Sequence, residues 1–116
     1  MLIKNIPSVV IEKNGGYKFI LAKITDQNGK EKLVVRAHEE GFNYCYELVD
    51  ALVKEAVGLK VGYLGGGRIY VNSQKRMIQI WDIISDDGHD PRRETIDLLE
   101  AAFPEYRICA QYYSAR

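Results

Sequence analysis

A chain of 116 residues, 47% of them hydrophobic, is long enough to bury one core without covalent staples, so a single domain over 1–116 is expected. Sixteen basic and sixteen acidic side chains cancel; this argues against nucleic acid or an anionic membrane as partner and leaves any anion to be bound by a local arrangement. Cys45 and Cys109 lie far apart with no CxxC or Cys/His spacing, which argues against a disulfide framework or structural zinc and fits a reducing cytoplasm.

The opening Met-Leu-Ile-Lys-Asn-Ile-Pro lacks the apolar run of a signal peptide, and no stretch approaches a membrane span. Residues 9–12 and 17–24 are rich in β-formers and flank Lys13-Asn14-Gly15-Gly16, whose asparagine and glycines tolerate positive φ, so a hairpin is expected. Asn28-Gly29 then separates 17–24 from 32–36, which predicts a third antiparallel strand folded back on the second.

From 43 to 57 the period changes. Cys45, Leu48, Val49, Leu52, Val53 and Ala56 recur at three and four, with Glu47, Asp50, Lys54 and Glu55 between them, the pattern of an amphipathic helix. Asn43 suits its cap and Gly58 the left-handed residue beyond its end. Segments 60–64, 68–71 and 77–84 read as strands, broken by Gly65-Gly66-Gly67 and by Asn72-Ser73-Gln74-Lys75. Asp90-Pro91 reads as an N-cap and first-turn proline opening a helix that runs to Phe103 and is stopped by Pro104. A last strand is expected over 108–112. The class is α+β: one mixed, mostly antiparallel sheet flanked by two helices, in the order βββαβββαβ.

Three consecutive glycines weaken a strand unless backbone approaches closely there. Leu64-Gly65-Gly66-Gly67-Arg68-Ile69 is neither a Walker A loop nor a dinucleotide fingerprint, since it lacks their lysine and spacing and leads into a strand. Two readings stand: a structural bulge, or a ligand-facing turn with Arg68 as an anion donor. For Lys18 and Arg36, in apolar strand segments, a solvated outer face is the default. His38 and His89 show no metal spacing, and the loop Ser85-Asp86-Asp87-Gly88-His89-Asp90 matches no EF-hand register. Cys45, on the apolar stripe, reads as a small buried hydrophobe or as a nucleophile at a helix start.

Taken together, Ile6-Pro7, Gly16-Tyr17-Lys18-Phe19-Ile20-Leu21, Val35-Arg36, Leu64-Gly65-Gly66-Gly67-Arg68-Ile69 and Phe103-Pro104-Glu105-Tyr106 resemble the Janus/ocnus family of phosphohistidine phosphatases over nearly the whole chain. The resemblance implies a phosphate pocket at the start of the first helix and hydrolysis of phosphohistidine without a metal or other cofactor. It further implies that Lys18, Arg36 and Arg68, with Gly66 and Gly67, bind the phosphoryl group of a phosphorylated protein or small phosphate-bearing ligand. A monomer or weak dimer is expected. The family's essential histidine follows an aromatic residue at the helix start, whereas here the matching pair is Tyr44-Cys45, so Cys45, Tyr44 or His89 is left as the candidate replacement. The loop departs too: Asp86 and Asp87 stand where the resemblance implies small neutral residues. A non-catalytic phospho-ligand binder is the alternative.

Overall fold

A computed structural model describes residues 2–11, 14–38, 44–86, 88 and 90–110. Its elements are a short 3-10 turn (Ile3–Asn5), β1 (Val9–Ile11), β2 (Gly15–Thr25), β3 (Glu31–Ala37), α1 (Cys45–Glu55), β4 (Lys60–Asn72), β5 (Met77–Ser85), α2 (Arg92–Ala102) and β6 (Arg107–Ala110). One six-stranded sheet runs in the order β1-β3-β2-β4-β5-β6. Its β1–β3 and β5–β6 pairs are parallel and the rest antiparallel. The fold is α+β with a mixed sheet and two helices, as the patterning predicts.

Alternation along β2 decides which helix covers which face. Tyr17, Phe19 and Leu21 point to one side, where Val35, Ala37, Ile69, Val71, Ile78 and Ile80 join them beneath Leu99 of α2. Ile20, Ala22 and Ile24 point to the other, where they meet Val34 and the α1 residues Leu48, Leu52 and Ala56. Both layers are buried, which is why β2 reads as an almost unbroken apolar run.

Two expectations are corrected. β1 forms no hairpin with β2: β2 has two edges, and β3 and β4 occupy both, so β1 pairs in parallel with β3, Val9 opposite Val35. The Asn14 side chain is used elsewhere, accepting a hydrogen bond from the Ser73 N–H at 2.6 Å and tying the start of β2 to the β4–β5 turn. Secondly, the glycines do not separate two strands. Lys60–Asn72 is a single strand with register shifts on both edges, against β2 at Leu21/Ala22 and against β5 at Gly66/Arg68. The β2–β3 turn is as expected, with Gly29 at φ 83 and the Asp26 carboxylate accepting from the N–H groups of Asn28 and Lys30.

The helices agree with their patterns within two residues. At the start of α1 the Tyr44 N–H donates to the Glu47 carboxylate at 2.9 Å, half of a capping box, and Gly58 sits at φ 81 beyond the end. Asn43 lies outside the described residues. The expected Asp90 cap is corrected by one residue: α2 begins at Arg92 with Pro91 in the N-cap position, and the Asp90 carboxylate just before it accepts from the Arg92 N–H at 2.9 Å.

Candidate anion-binding site

The face of the sheet under α1 carries the basic residues. Lys18 is directly opposite Arg68 in the β2–β4 register, and Ile20, two residues further on that face, is opposite Arg36 of β3. Lys18, Arg36 and Arg68 therefore share one face on three adjacent strands. The register cannot leave Lys18 and Arg68 far apart, since directly opposed residues bring their Cβ atoms to about 4.5–5.5 Å. Like charges so placed repel, costing a fraction of a kcal/mol to about 1 kcal/mol, and a bound anion would reverse the sign.

The three cations are not equivalent. Lys18 is half-buried, and among the described residues no group pairs its ammonium. Arg68 has a counter-charge, Asp82, at 3.5 Å, but both side chains are 49% exposed, and a surface pair of that kind is worth about 0–1 kcal/mol. Asp82 does not commit Arg68. Arg36 is committed: its side chain is 2% exposed, Nε and Nη2 each donate to the Glu55 carboxylate at 2.8 Å, and Nη1 donates to the Val35 carbonyl. The expected solvated position for Arg36 is thus corrected to a buried one. Alternation places Arg36 under α1, and Glu55 at the end of that helix neutralises it.

The glycines have a structural cause. A Cβ on Gly66 would lie 2.2 Å from the Phe19 carbonyl oxygen, and one on Gly67 2.7 Å from that of Trp81. β2 and β5 both close tightly on β4, and the bulge against β5 is completed by Asp82 at φ 51. Only beyond this run does a side chain fit again, and Arg68 is the first.

The start of α1 is differently equipped. Cys45, its first residue, is half-buried and neighbours the Tyr63 side chain of β4. Burial pushes the Tyr63 phenol up to about 12, and the neighbouring Cys45 and the charge of Asp86 add to the rise. Tyr44 stands outside, 59% exposed, its ring stacked on that of Tyr46 at 5.5 Å. His89 and Asp87 lie outside the described residues. Among the described residues no three His, Cys, Asp or Glu side chains gather as a metal site, and no helix is long and apolar enough to cross a membrane.

The patterning sets Glu55 on the outer, polar face of α1, and the structure corrects this: its carboxylate reaches the buried Arg36. Glu55 follows Leu48 and Leu52 at helical spacing, which places it at the edge of the inward stripe, and that was the available signal. His38 is the residue directly after β3.

Residues 3–107 match the model of the Janus/Ocnus family. The chain belongs to the Janus/Ocnus family. Among its relatives, the sex-regulated protein janus-A of Drosophila yakuba is 28% identical over 111 residues, covering 91% of this chain and 79% of that protein. The janus-A of Drosophila pseudoobscura pseudoobscura is 30% identical over 113 residues, 91% of this chain and 75% of that one. The 14 kDa phosphohistidine phosphatase of Sus scrofa is 25% identical over 114 residues, 91% of this chain and 90% of that one. Within this Janus/Ocnus chain, then, Lys18 and Arg68 face each other across two strands, Arg36 is neutralised by Glu55, and the helix start carries a thiol beside a phenol.

Proposed function

We propose that this Janus/Ocnus protein binds a phosphoryl group, carried by a phosphorylated protein or a small ligand, between Lys18 and Arg68, and that it hydrolyses phosphohistidine. The observation that carries the reading is the Lys18–Arg68 opposition: two cations set against each other on adjacent strands, one without a partner among the described residues and one weakly paired. Lysine supplies a point charge, and arginine a planar fork suited to two phosphoryl oxygens. Gly66 and Gly67 serve the site by letting β4 bulge so that Arg68 comes opposite Lys18. The name of the Sus scrofa relative supports the choice of phosphohistidine.

One observation favours a second reading, a binder without turnover. Tyr44 and Cys45 stand at the helix start, and the charge of Asp86, felt at Tyr63 beside Cys45, disfavours a dianion there. Titration with inorganic phosphate, followed by calorimetry, tests the shared part. Lys18→Met and Arg68→Met should each weaken binding about tenfold or more, since a hydrogen bond to a charged group contributes about 1.5–3 kcal/mol. Variants that bind phosphate like the parent would remove the site. Hydrolysis of a phosphohistidine peptide by the parent chain separates the two readings.

A further inference from the structure

The two helices cover different extents of the sheet. The layer beneath α2 takes Ile69 and Val71 from β4, Ile78 and Ile80 from β5 and Ile108 from β6. The layer beneath α1 takes Val61 and Tyr63 from β4 and, among the described residues, nothing from β5 or β6. Alternation turns the residues between the α2-facing ones the other way. Beyond the reach of α1 the sheet therefore presents Tyr70, Trp81, Gln79, Met77, Cys109 and Arg107 on the face that carries Lys18 and Arg68. Trp81 is opposite Arg68, Gln79 lies between Tyr70 and Cys109, and Met77 is opposite Arg107. One contact confirms the shared face: Arg107 Nη2 donates to the Met77 sulfur at 3.8 Å. The middle of this surface is half-buried and uncharged, and the charge stands at its two ends. Among the described residues no carboxylate pairs Lys18 or Arg107, and Asp82 offsets Arg68 only weakly.

We propose that this open half of the α1 face docks an acidic polypeptide segment, the one that carries the phosphoryl group. Docking of this kind rests on the phosphoryl-binding reading and chooses a protein over a small ligand as the carrier. Adjacent strands lie about 4.8 Å apart and residues advance about 3.3 Å along them, so Arg107, two strands from Arg68 and four positions down β5 from Trp81, is about 16 Å away. Inorganic phosphate reaches only one end of that path, whereas about five residues of extended chain span it. Such a segment sets its phosphoryl group between Lys18 and Arg68, apolar side chains on Trp81 and Met77, and a carboxylate on Arg107. Charge disfavours the other occupants. A nucleic acid carries a phosphate at every nucleotide, but Tyr70, Trp81, Gln79 and Met77 offer no cation between the ends, and the sixteen basic and sixteen acidic residues of the chain cancel, so no long-range field draws a polyanion. A second copy of this chain laid face to face would bring the same cations against each other.

The test uses the full chain and its sole tryptophan, Trp81, whose fluorescence reports on this face. The probes are inorganic phosphate and two phosphohistidine peptides free of tryptophan, alike except that the residues about five positions to either side of the phosphohistidine are Glu in one and Lys in the other. The parent should bind the Glu peptide about tenfold or more tighter than inorganic phosphate, because the two ends act together, and its Trp81 emission should shift on binding. It should also prefer the Glu peptide to the Lys peptide. Arg107→Glu, on an exposed edge strand, should weaken the Glu peptide about fivefold or more, abolish the preference and leave phosphate binding unchanged. A parent that binds phosphate and both peptides equally keeps the phosphoryl site and loses the docking face, and an Arg107→Glu protein with the parent's peptide affinity does the same. Tighter binding of a short single-stranded RNA than of the Glu peptide, or a parent dimer that Arg107→Glu dissociates, gives the face to another occupant and overturns the proposal. A parent that binds no inorganic phosphate brings down the reading and the docking together. Should the variant fail to fold, the parent alone decides: equal affinity for the Glu and Lys peptides overturns the proposal.

Discussion

Removing the Glu55 carboxylate is the perturbation whose effect is best defined by the geometry. Arg36 is buried, and three of its guanidinium N–H groups are used, two of them by Glu55. Glu55→Ala strands that cation. Breaking a buried pair from one side costs about 3–5 kcal/mol, but the Glu55 side chain is 35% exposed and water can enter part of the space, so about 2–3 kcal/mol is expected. For a domain of this size that lowers Tm by roughly 8–12 °C. The reverse change should be milder. Arg36→Met leaves a carboxylate that water can reach and an apolar stem of similar length, at about 1 kcal/mol or less. The double variant should therefore be more stable than Glu55→Ala alone, a non-additivity that thermal or urea unfolding measures directly. Equal losses from both single changes, or a Glu55→Ala loss under about 0.5 kcal/mol, would refute the reasoning that burial of Arg36 decides the energetics.

The same pair predicts a pH dependence: its hydrogen bond to Arg36 first, then the charges of Arg36 and His38, lower the Glu55 carboxyl below its ordinary 4.5 against a smaller opposing effect of burial. Stability from Glu55 is therefore present above about that pH and lost as pH falls through the lower folded value, and acid unfolding of Glu55→Gln should lack this component. Gly66→Ala should cost about 3 kcal/mol or more, because its methyl meets the Phe19 carbonyl at 2.2 Å, whereas Gly62→Ala, with nothing nearer than 3.8 Å, should unfold close to the parent in urea. Thr95 is fully buried and its hydroxyl has no partner among the described residues, so Thr95→Val should raise Tm, by a few degrees for about 1 kcal/mol.

Local chemistry was legible wherever one segment determined the outcome. Leu48 and Leu52 mark the buried stripe of α1 by spacing alone, Gly29 and Gly58 mark positive-φ positions, and Asp90-Pro91 marks where α2 begins. Pairing between distant segments was not legible in the same way. Val9-Val10-Ile11 has strand composition, but its partner was decided by competition for the edges of β2, and that depends on the glycines of β4. Those glycines looked like a break because three in a row carry no side chain to pack. In the folded chain they are where three backbones approach most closely, a property of β2 and β5 as much as of β4 itself.

The site follows the same division. Lys18, Arg36 and Arg68 were chosen on resemblance, and nothing in their own segments distinguishes a binding cation from a buried ion pair. The distinction comes from which neighbour each one meets. Arg36 is followed along its strand by Ala37 and His38, and the helix that crosses it ends in Glu55, so its charge is neutralised before any ligand arrives. Lys18 and Arg68 are set opposite each other, and the repulsion between them is what a bound anion would relieve. Because the Glu55 ion pair removes one cation from the row, the free charge of that row is left to Lys18 and Arg68, away from the end of α1 that holds Glu55.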